Sequence, residues 1–210
     1  QVVILRRYAR NTNQDIERPV IEMQNMAKKL WYAQTTEQIM GYEGTAAKIY
    51  FRVLGELIDP DFAFNGRSRR PPMDPFNSMI SLGYSIIMNE IYGKIEGKGL
   101  NAYFGILHKD REKHPTLASD LMEEWRAVLI DSTALSMLNG HELTTDNFYT
   151  EIEQPGVFLE NTGFKKYIQK LETKFRTQNR YLSYIDYSVS FRAALDLQIN
   201  QFVKAIETED

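Results

Sequence analysis

The sequence predicts a mainly α protein, a multi-helix domain with little sheet, and three observations predict it. Apolar residues recur at the three- and four-residue spacing of a helix face through most of the chain, Gly and Pro divide it into helix-sized blocks, and strand-like alternation is scarce. With 210 residues, 43% of them hydrophobic and 25% charged, the composition is that of a globular chain able to bury a core.

The blocks follow in order. Residues 1–18 are expected as a linker or leading segment. From about Pro19, the residues Val20, Met23, Ala27, Leu30 and Trp31 share one helix face, and Pro19 suits a first turn, where its missing N–H is not needed. A second helix is expected from Thr35 to Leu57, with Thr35 or Thr36 as N-cap, Pro60 beyond its end, and a core face of Ile39, Ala46, Ala47, Tyr50, Val53, Leu54 and Leu57. Residues 59–74 form a loop bearing Arg, Pro and Gly. The run Asn77 to Tyr92 is apolar on almost every side and reads as a central helix, ended by Gly93, Gly97 and Gly99. A mixed loop over 100–115 leads to a long helix from about Leu117 to Leu138, with Thr116 placed to cap it and Gly140 to stop it. Val157, Phe158 and Leu159 suit a short extended segment, and two further helices are expected near 165–177 and 187–206.

Composition excludes several classes of function. The chain has no cysteine, so neither a disulfide framework nor a thiolate metal site is possible. Its most apolar stretch, Met79 to Tyr92, is interrupted by Asn89 and Glu90 and is too short to cross a bilayer, and the N-terminus has no secretory pattern. A soluble, cytoplasmic protein without membrane contact is expected. The net charge of −3 is not that of a typical nucleic-acid binder, which leaves Arg67, Arg69 and Arg70 as the local basic cluster. The chain begins at Gln1 rather than Met and is read as a fragment.

Polar residues that break the helical pattern carry the functional signal. On a wheel of 100° per residue with Ile39 at zero, Glu43 falls at about 40°, within the apolar arc. An ionised carboxylate buried there needs a cation, a metal or a set of donors, and pairing with an Arg or a Tyr hydroxyl would serve equally. The long helix repeats the anomaly with Asp120 and Glu123, three residues apart and hence on one face, although acidic residues also favour the first turns of a helix for electrostatic reasons. His108 follows the run Tyr103 to Leu107, of which Tyr103 and Phe104 read as core, and its loop can fold back on that first turn; a hydrogen-bonded structural role would also explain it. One His with two or three carboxylates and no Cys suits magnesium or manganese better than structural zinc, and phosphoryl transfer is the chemistry such an ion serves. No zincin spacing follows His141, no Glu-x-x-His pair is present, and there is no P-loop or nucleophile elbow.

Four segments resemble those of the CRISPR adaptation integrase: Gly41-Tyr42-Glu43-Gly44-Thr45-Ala46-Ala47-Lys48-Ile49-Tyr50-Phe51, Arg69-Arg70-Pro71-Pro72-Met73-Asp74-Pro75-Phe76-Asn77, Tyr103-Phe104-Gly105-Ile106-Leu107-His108, and Leu117-Ala118-Ser119-Asp120-Leu121-Met122-Glu123-Glu124-Trp125-Arg126. They occur in the family's order. The resemblance implies a helical catalytic domain in which Glu43, His108 and Glu123 coordinate Mg2+ or Mn2+, with Asp120 as a further acidic residue of the active site. It implies a metal-dependent DNA endonuclease and integrase acting in antiviral defence, in which a spacer's 3′-hydroxyl attacks repeat DNA. The partners implied are double-stranded and branched DNA (prespacer and repeat), a second copy in a homodimer of the full-length protein, and the small partner subunit of the adaptation complex. Arg67, Arg69, Arg70 and Arg126 are candidate phosphate contacts, each with a solvated or structural role as its alternative. The family's N-terminal β-rich domain is absent from this sequence, which fits a trimmed chain or a piece of a larger fusion, such as one with a reverse transcriptase. The competing reading is a non-catalytic helical scaffold that binds DNA and proteins.

Overall fold

The structure is a computed structural model that describes residues 1–108, 113–151 and 153–208, and among them it is mainly helical. The chain forms two compact units, one of residues 1–81 and 134–163, the other of residues 82–133 and 164 onward.

In the first unit the leading segment is itself a helix, α1 (Val2–Thr12), which buries Leu5, Tyr8 and Ala9 and stops at Asn13 in the left-handed region, φ 54°. The three- and four-residue spacing of those side chains explains it: with one face to bury, 2–12 folds against α3. Helix α2 (Glu17–Leu30) carries Pro19 in its first turn as expected and packs along α3 (Thr36–Leu57). The Thr35 hydroxyl caps α3 by accepting the Gln38 N–H at 3.3 Å. Tyr50, Val53, Leu54 and Leu57 are fully buried, whereas Ile39, Ala46 and Ala47, nearer the N-terminus, are only partly so.

The loop after α3 is held at both ends. Asn139 donates to the Leu57 carbonyl at 2.7 Å and accepts the Asp59 N–H at 2.9 Å. At the far end Asp74 caps α4 (Pro75–Gly97), its Oδ1 accepting the Asn77 N–H at 2.7 Å. Two short antiparallel strands, β1 (Phe148–Thr150) and β2 (Val157–Leu159), pair Phe148 with Leu159, and the Val157 N–H reaches the Pro72 carbonyl at 2.8 Å. The extended segment expected at 157–159 is thus β2.

In the second unit α4 runs through Gly93 and gives way at Gly97 to a turn closed by Gly99, whose φ of 77° is a conformation glycine adopts without strain. The long helix expected from 117 to 138 is not continuous α. It comprises α5 (Thr116–Trp125), a π-helical stretch (Arg126–Asp131) and α6 (Ser132–Asn139), most of which belongs to the first unit. Thr116 lies inside the first turn rather than capping it, and its hydroxyl donates to the His114 carbonyl at 3.1 Å. Helix α7 (Asn161–Arg176) and α8 (Phe191–Thr208) follow, joined through the strand pair β3 (Gln178–Asn179) and β4 (Val189–Ser190). Arg192 of α8 donates to Glu90 of α4 at 3.0 Å and to Glu172 of α7 at 2.9 and 3.0 Å, tying three helices. Trp125 is buried against Tyr181 and Phe191.

Candidate metal centre

Asp120, on the first turns of α5, ties the preceding loop to that helix. Its side chain is 4% exposed. Oδ2 accepts the backbone N–H groups of Ile106 at 2.6 Å and Leu107 at 2.9 Å, while Oδ1 accepts the His108 N–H at 3.3 Å and stands 2.5 Å from His108 Nδ1. The loop can approach so closely because residue 105 is glycine: a Cβ there would come within 2.6 Å of Thr116 Cγ2 and 2.7 Å of the His108 carbonyl oxygen. This tight course turns Tyr103 and Phe104 outward, 41% and 66% exposed, so they are not core residues.

Burial is the largest influence on the Asp120 carboxyl and pushes its pKa up, but hydrogen bonds from His108, Leu107 and Ile106 outweigh it and hold the group below the usual carboxylate range. An ionised carboxylate only accepts, so the proton between the two side chains belongs to His108 Nδ1, and in the neutral ring the other nitrogen, Nε2, carries the lone pair. A carboxylate that fixes the tautomer and orientation of an imidazole in this way is the usual companion of a metal-binding His.

Glu123 stands one turn further along α5, its side chain 25% exposed, with Oε1 2.6 Å from Arg126 Nη1. The Arg126 guanidinium lies over the Tyr84 ring, 5.1 Å from its centroid, and the Tyr84 hydroxyl donates to Asp131 Oδ1 at 2.5 Å. Arg126, read from the sequence as a possible phosphate contact, is therefore occupied by an acid and an aromatic ring.

Glu43 lies in the first unit, on the half-buried part of α3 rather than in a deep core, because the end of α2 alongside is solvated: Trp31 is 89% exposed. No hydrogen bond or ion pair engages Glu43 among the described residues. Among those residues no three His, Asp or Glu side chains form a group able to hold a metal ion. In chemistry the set nevertheless fits a hard divalent ion, with two carboxylates and an imidazole whose lone pair is directed by Asp120.

The arginines of the basic loop differ in their contacts. Arg67 donates to Asn77 Oδ1 at 2.8 Å and also to the Ser68 carbonyl. The fully buried Asn77 accepts the Ser68 N–H at 3.0 Å and donates to the Gly66 carbonyl at 2.8 Å and to Asp74 Oδ2 at 2.6 Å. Burial, the largest influence, raises the Asp74 pKa. Arg69 and Arg70, by contrast, are exposed, and no hydrogen bond or ion pair engages them among the described residues. Sequence reasoning passed over Asn77, Tyr84 and Asp131; each is a polar residue inside an apolar helical run, the same signal that singled out Glu43.

The protein is thus of the mainly helical class, with an Asp-held histidine beside a helix that carries a second carboxylate. Residues 1–173 match the family model for "CRISPR associated protein Cas1", and the chain belongs to that family. The CRISPR-associated endonuclease Cas1 of Mycobacterium tuberculosis (strain CDC 1551 / Oshkosh) is 38% identical over 199 residues, covering 95% of this chain and 59% of that protein. The chain thus spans about three-fifths of that relative's length. Among solved structures, a casposase bound to integration product superposes with a TM-score of 0.85 at 20% identity, covering 99% of this chain and 56% of that one, a likeness of fold. A Cas6-RT-Cas1–Cas2 complex gives 0.82 at 25% identity, covering all of this chain and 23% of that one. No helix among the described residues is long and apolar enough to cross a membrane.

Proposed function

We propose that this chain is the catalytic domain of a CRISPR adaptation integrase, a divalent-metal-dependent DNA endonuclease and transesterase of the prokaryotic cytoplasm. The observation that carries the reading is the clamp of Asp120 on His108 with Glu123 one turn away, on a chain of the Cas1 family. Glu43, His108 and Glu123 would hold a magnesium or manganese ion. When bound, that ion supplies charge stabilisation at the scissile phosphate and the leaving oxygen.

The protein's own contribution is to orient and to bind. Asp120 keeps the proton on His108 Nδ1 and leaves Nε2 able to donate its lone pair. Arg69 and Arg70 offer free guanidinium groups to the DNA backbone. No side chain serves as nucleophile: the 3′-hydroxyl of the incoming strand attacks, a new phosphorus–oxygen bond forms as the old one breaks, and the departing strand keeps its own 3′-oxygen as hydroxyl. Double-stranded and branched DNA are the substrates. A second copy of the full-length protein and a Cas2-type small subunit are the partners, in keeping with the Cas6-RT-Cas1–Cas2 complex, one chain of which includes a part with this fold.

One observation favours a second reading, a non-catalytic DNA-binding scaffold: Glu123 is already paired with Arg126 at 2.6 Å. Cleavage and strand transfer on branched DNA with Mn2+ separate the two. The integrase reading expects activity in the wild type that is lost in His108→Ala and Glu123→Gln; metal-independent DNA binding without cleavage supports the scaffold.

A further inference from the structure

The π-helical stretch Arg126–Asp131 begins three residues after Glu123, and π-turns are rare interruptions that adjust the direction of side chains within a helix. Its last residue, Asp131, is 1% exposed, so a carboxylate has been placed where it must be satisfied by the protein. The Tyr84 hydroxyl donates to it at 2.5 Å. Helix α4 can come close enough for this contact because the neighbouring residue is Gly83: a Cβ there would lie 2.4 Å from Ile130 Cγ2 and 2.5 Å from the Tyr167 hydroxyl.

The Tyr84 ring, fixed through its hydroxyl, is the surface on which the Arg126 guanidinium rests at 5.1 Å, and Arg126 holds Glu123 at 2.6 Å. The Arg126 Nε is buried with no hydrogen-bond partner, so the guanidinium is located by the ring face and by Glu123 rather than by a full set of hydrogen bonds. Asp131 therefore reaches Glu123 through two intermediates, in the order Asp131, Tyr84, Arg126, Glu123. An arginine so placed both neutralises the carboxylate and fixes which oxygen is directed away from it.

We propose that Asp131 and Tyr84 are positioning residues that set the Glu123 carboxylate through Arg126. The inference rests on the reading of Glu123 as a metal ligand. Tyr84→Phe keeps the ring but removes the hydroxyl, Asp131→Leu removes the acceptor, and Asp131→Asn retains an oxygen that can accept from Tyr84.

The test uses this chain labelled with 15N at arginine. The Arg126 Nε–H resonance, shielded from water in the wild type, is observed by NMR, followed by calorimetric titration with Mn2+ and a strand-transfer assay. The expected result is that the resonance exchanges faster with water in Tyr84→Phe and Asp131→Leu and is restored in Asp131→Asn. Mn2+ affinity falls roughly tenfold in the first two variants, and the double variant is no worse than either single one. Strand transfer recovers at higher Mn2+ concentration, as it would not if the loss were merely structural. An unchanged Arg126 resonance in both Tyr84→Phe and Asp131→Leu, or additive losses in the double variant, overturns the proposal. Should the wild type bind no Mn2+, the metal reading of Glu123 fails, and the proposal that rests on it is overturned as well. The NMR arm then still reports whether the chain from Asp131 to Arg126 is formed, so the two failures are told apart.

Discussion

Asp120 accepts the backbone N–H groups of Ile106, Leu107 and His108 and stands 2.5 Å from His108 Nδ1, so one carboxylate fixes both the course of the loop and the proton on the ring. Replacing it should loosen both. In Asp120→Ala, Mn2+ affinity is expected to fall about 10–100-fold by calorimetry, and the Ile106 and Leu107 amides to exchange faster with deuterium. Unchanged amide exchange would show that the loop is held by something else.

Glu43 makes the opposite case. It is half-buried and engaged by no hydrogen bond or ion pair among the described residues, so Glu43→Gln should leave thermal stability within about 0.5 kcal/mol of wild type. Strand transfer is expected to fall at least about a hundredfold, the scale of losing one group that stabilises transition-state charge. Loss of folding in this variant would mean that Glu43 is a structural residue.

The arginines of the 59–74 loop separate in a salt titration. Arg69→Ala combined with Arg70→Ala should lower the dependence of DNA affinity on log salt by roughly two without unfolding the chain, since both side chains are exposed. Arg67→Ala should instead destabilise the fold, by about 1–3 kcal/mol, because it takes a donor from buried Asn77. A chemical denaturation series on the three single variants distinguishes the two behaviours.

Acid should uncouple α8. Hydrogen bonds from Arg192 and Arg176 hold the Glu172 pKa down at about 2, below the ordinary 4.5. A carboxylate depressed in the folded state adds stability that is fully present above its unfolded pKa and disappears as pH falls through the folded one. The melting temperature of Glu172→Gln should therefore lie below that of wild type at neutral pH, and the gap should close between about pH 4.5 and 2. A gap that stays constant with pH would rule out the ion pair as its source.

Much of the fold was legible because helical spacing and capping are local. Thr35 before α3, Pro19 in α2 and the Gly97–Gly99 turn all appear where the sequence put them. Helix α1 lies in the stretch read as a linker or leading segment, and its buried face, Leu5, Tyr8 and Ala9, has helical spacing. The π-stretch could not be read, since the run Ala127 to Ile130 is wholly apolar and hides the shift that an extra residue in a turn makes, and only the contact of Asp131 with Tyr84 of α4 gives that carboxylate a place. The candidate site was legible as residue types out of pattern. Which carboxylate does what was not: Asp120 and Glu123 share a face in sequence, and only the loop wrapped on Asp120 gives it to His108 and leaves Glu123 to Arg126.

In the proposed site Glu43, His108 and Glu123 hold a divalent ion that the DNA chemistry requires. Calorimetric titration of Mn2+ into wild type, Glu43→Gln, His108→Ala and Glu123→Gln, in the presence of branched DNA, tests it most directly. Stoichiometric binding by wild type and its loss in all three variants are expected. Wild-type binding retained in any variant, or no binding by wild type even with DNA present, would contradict it.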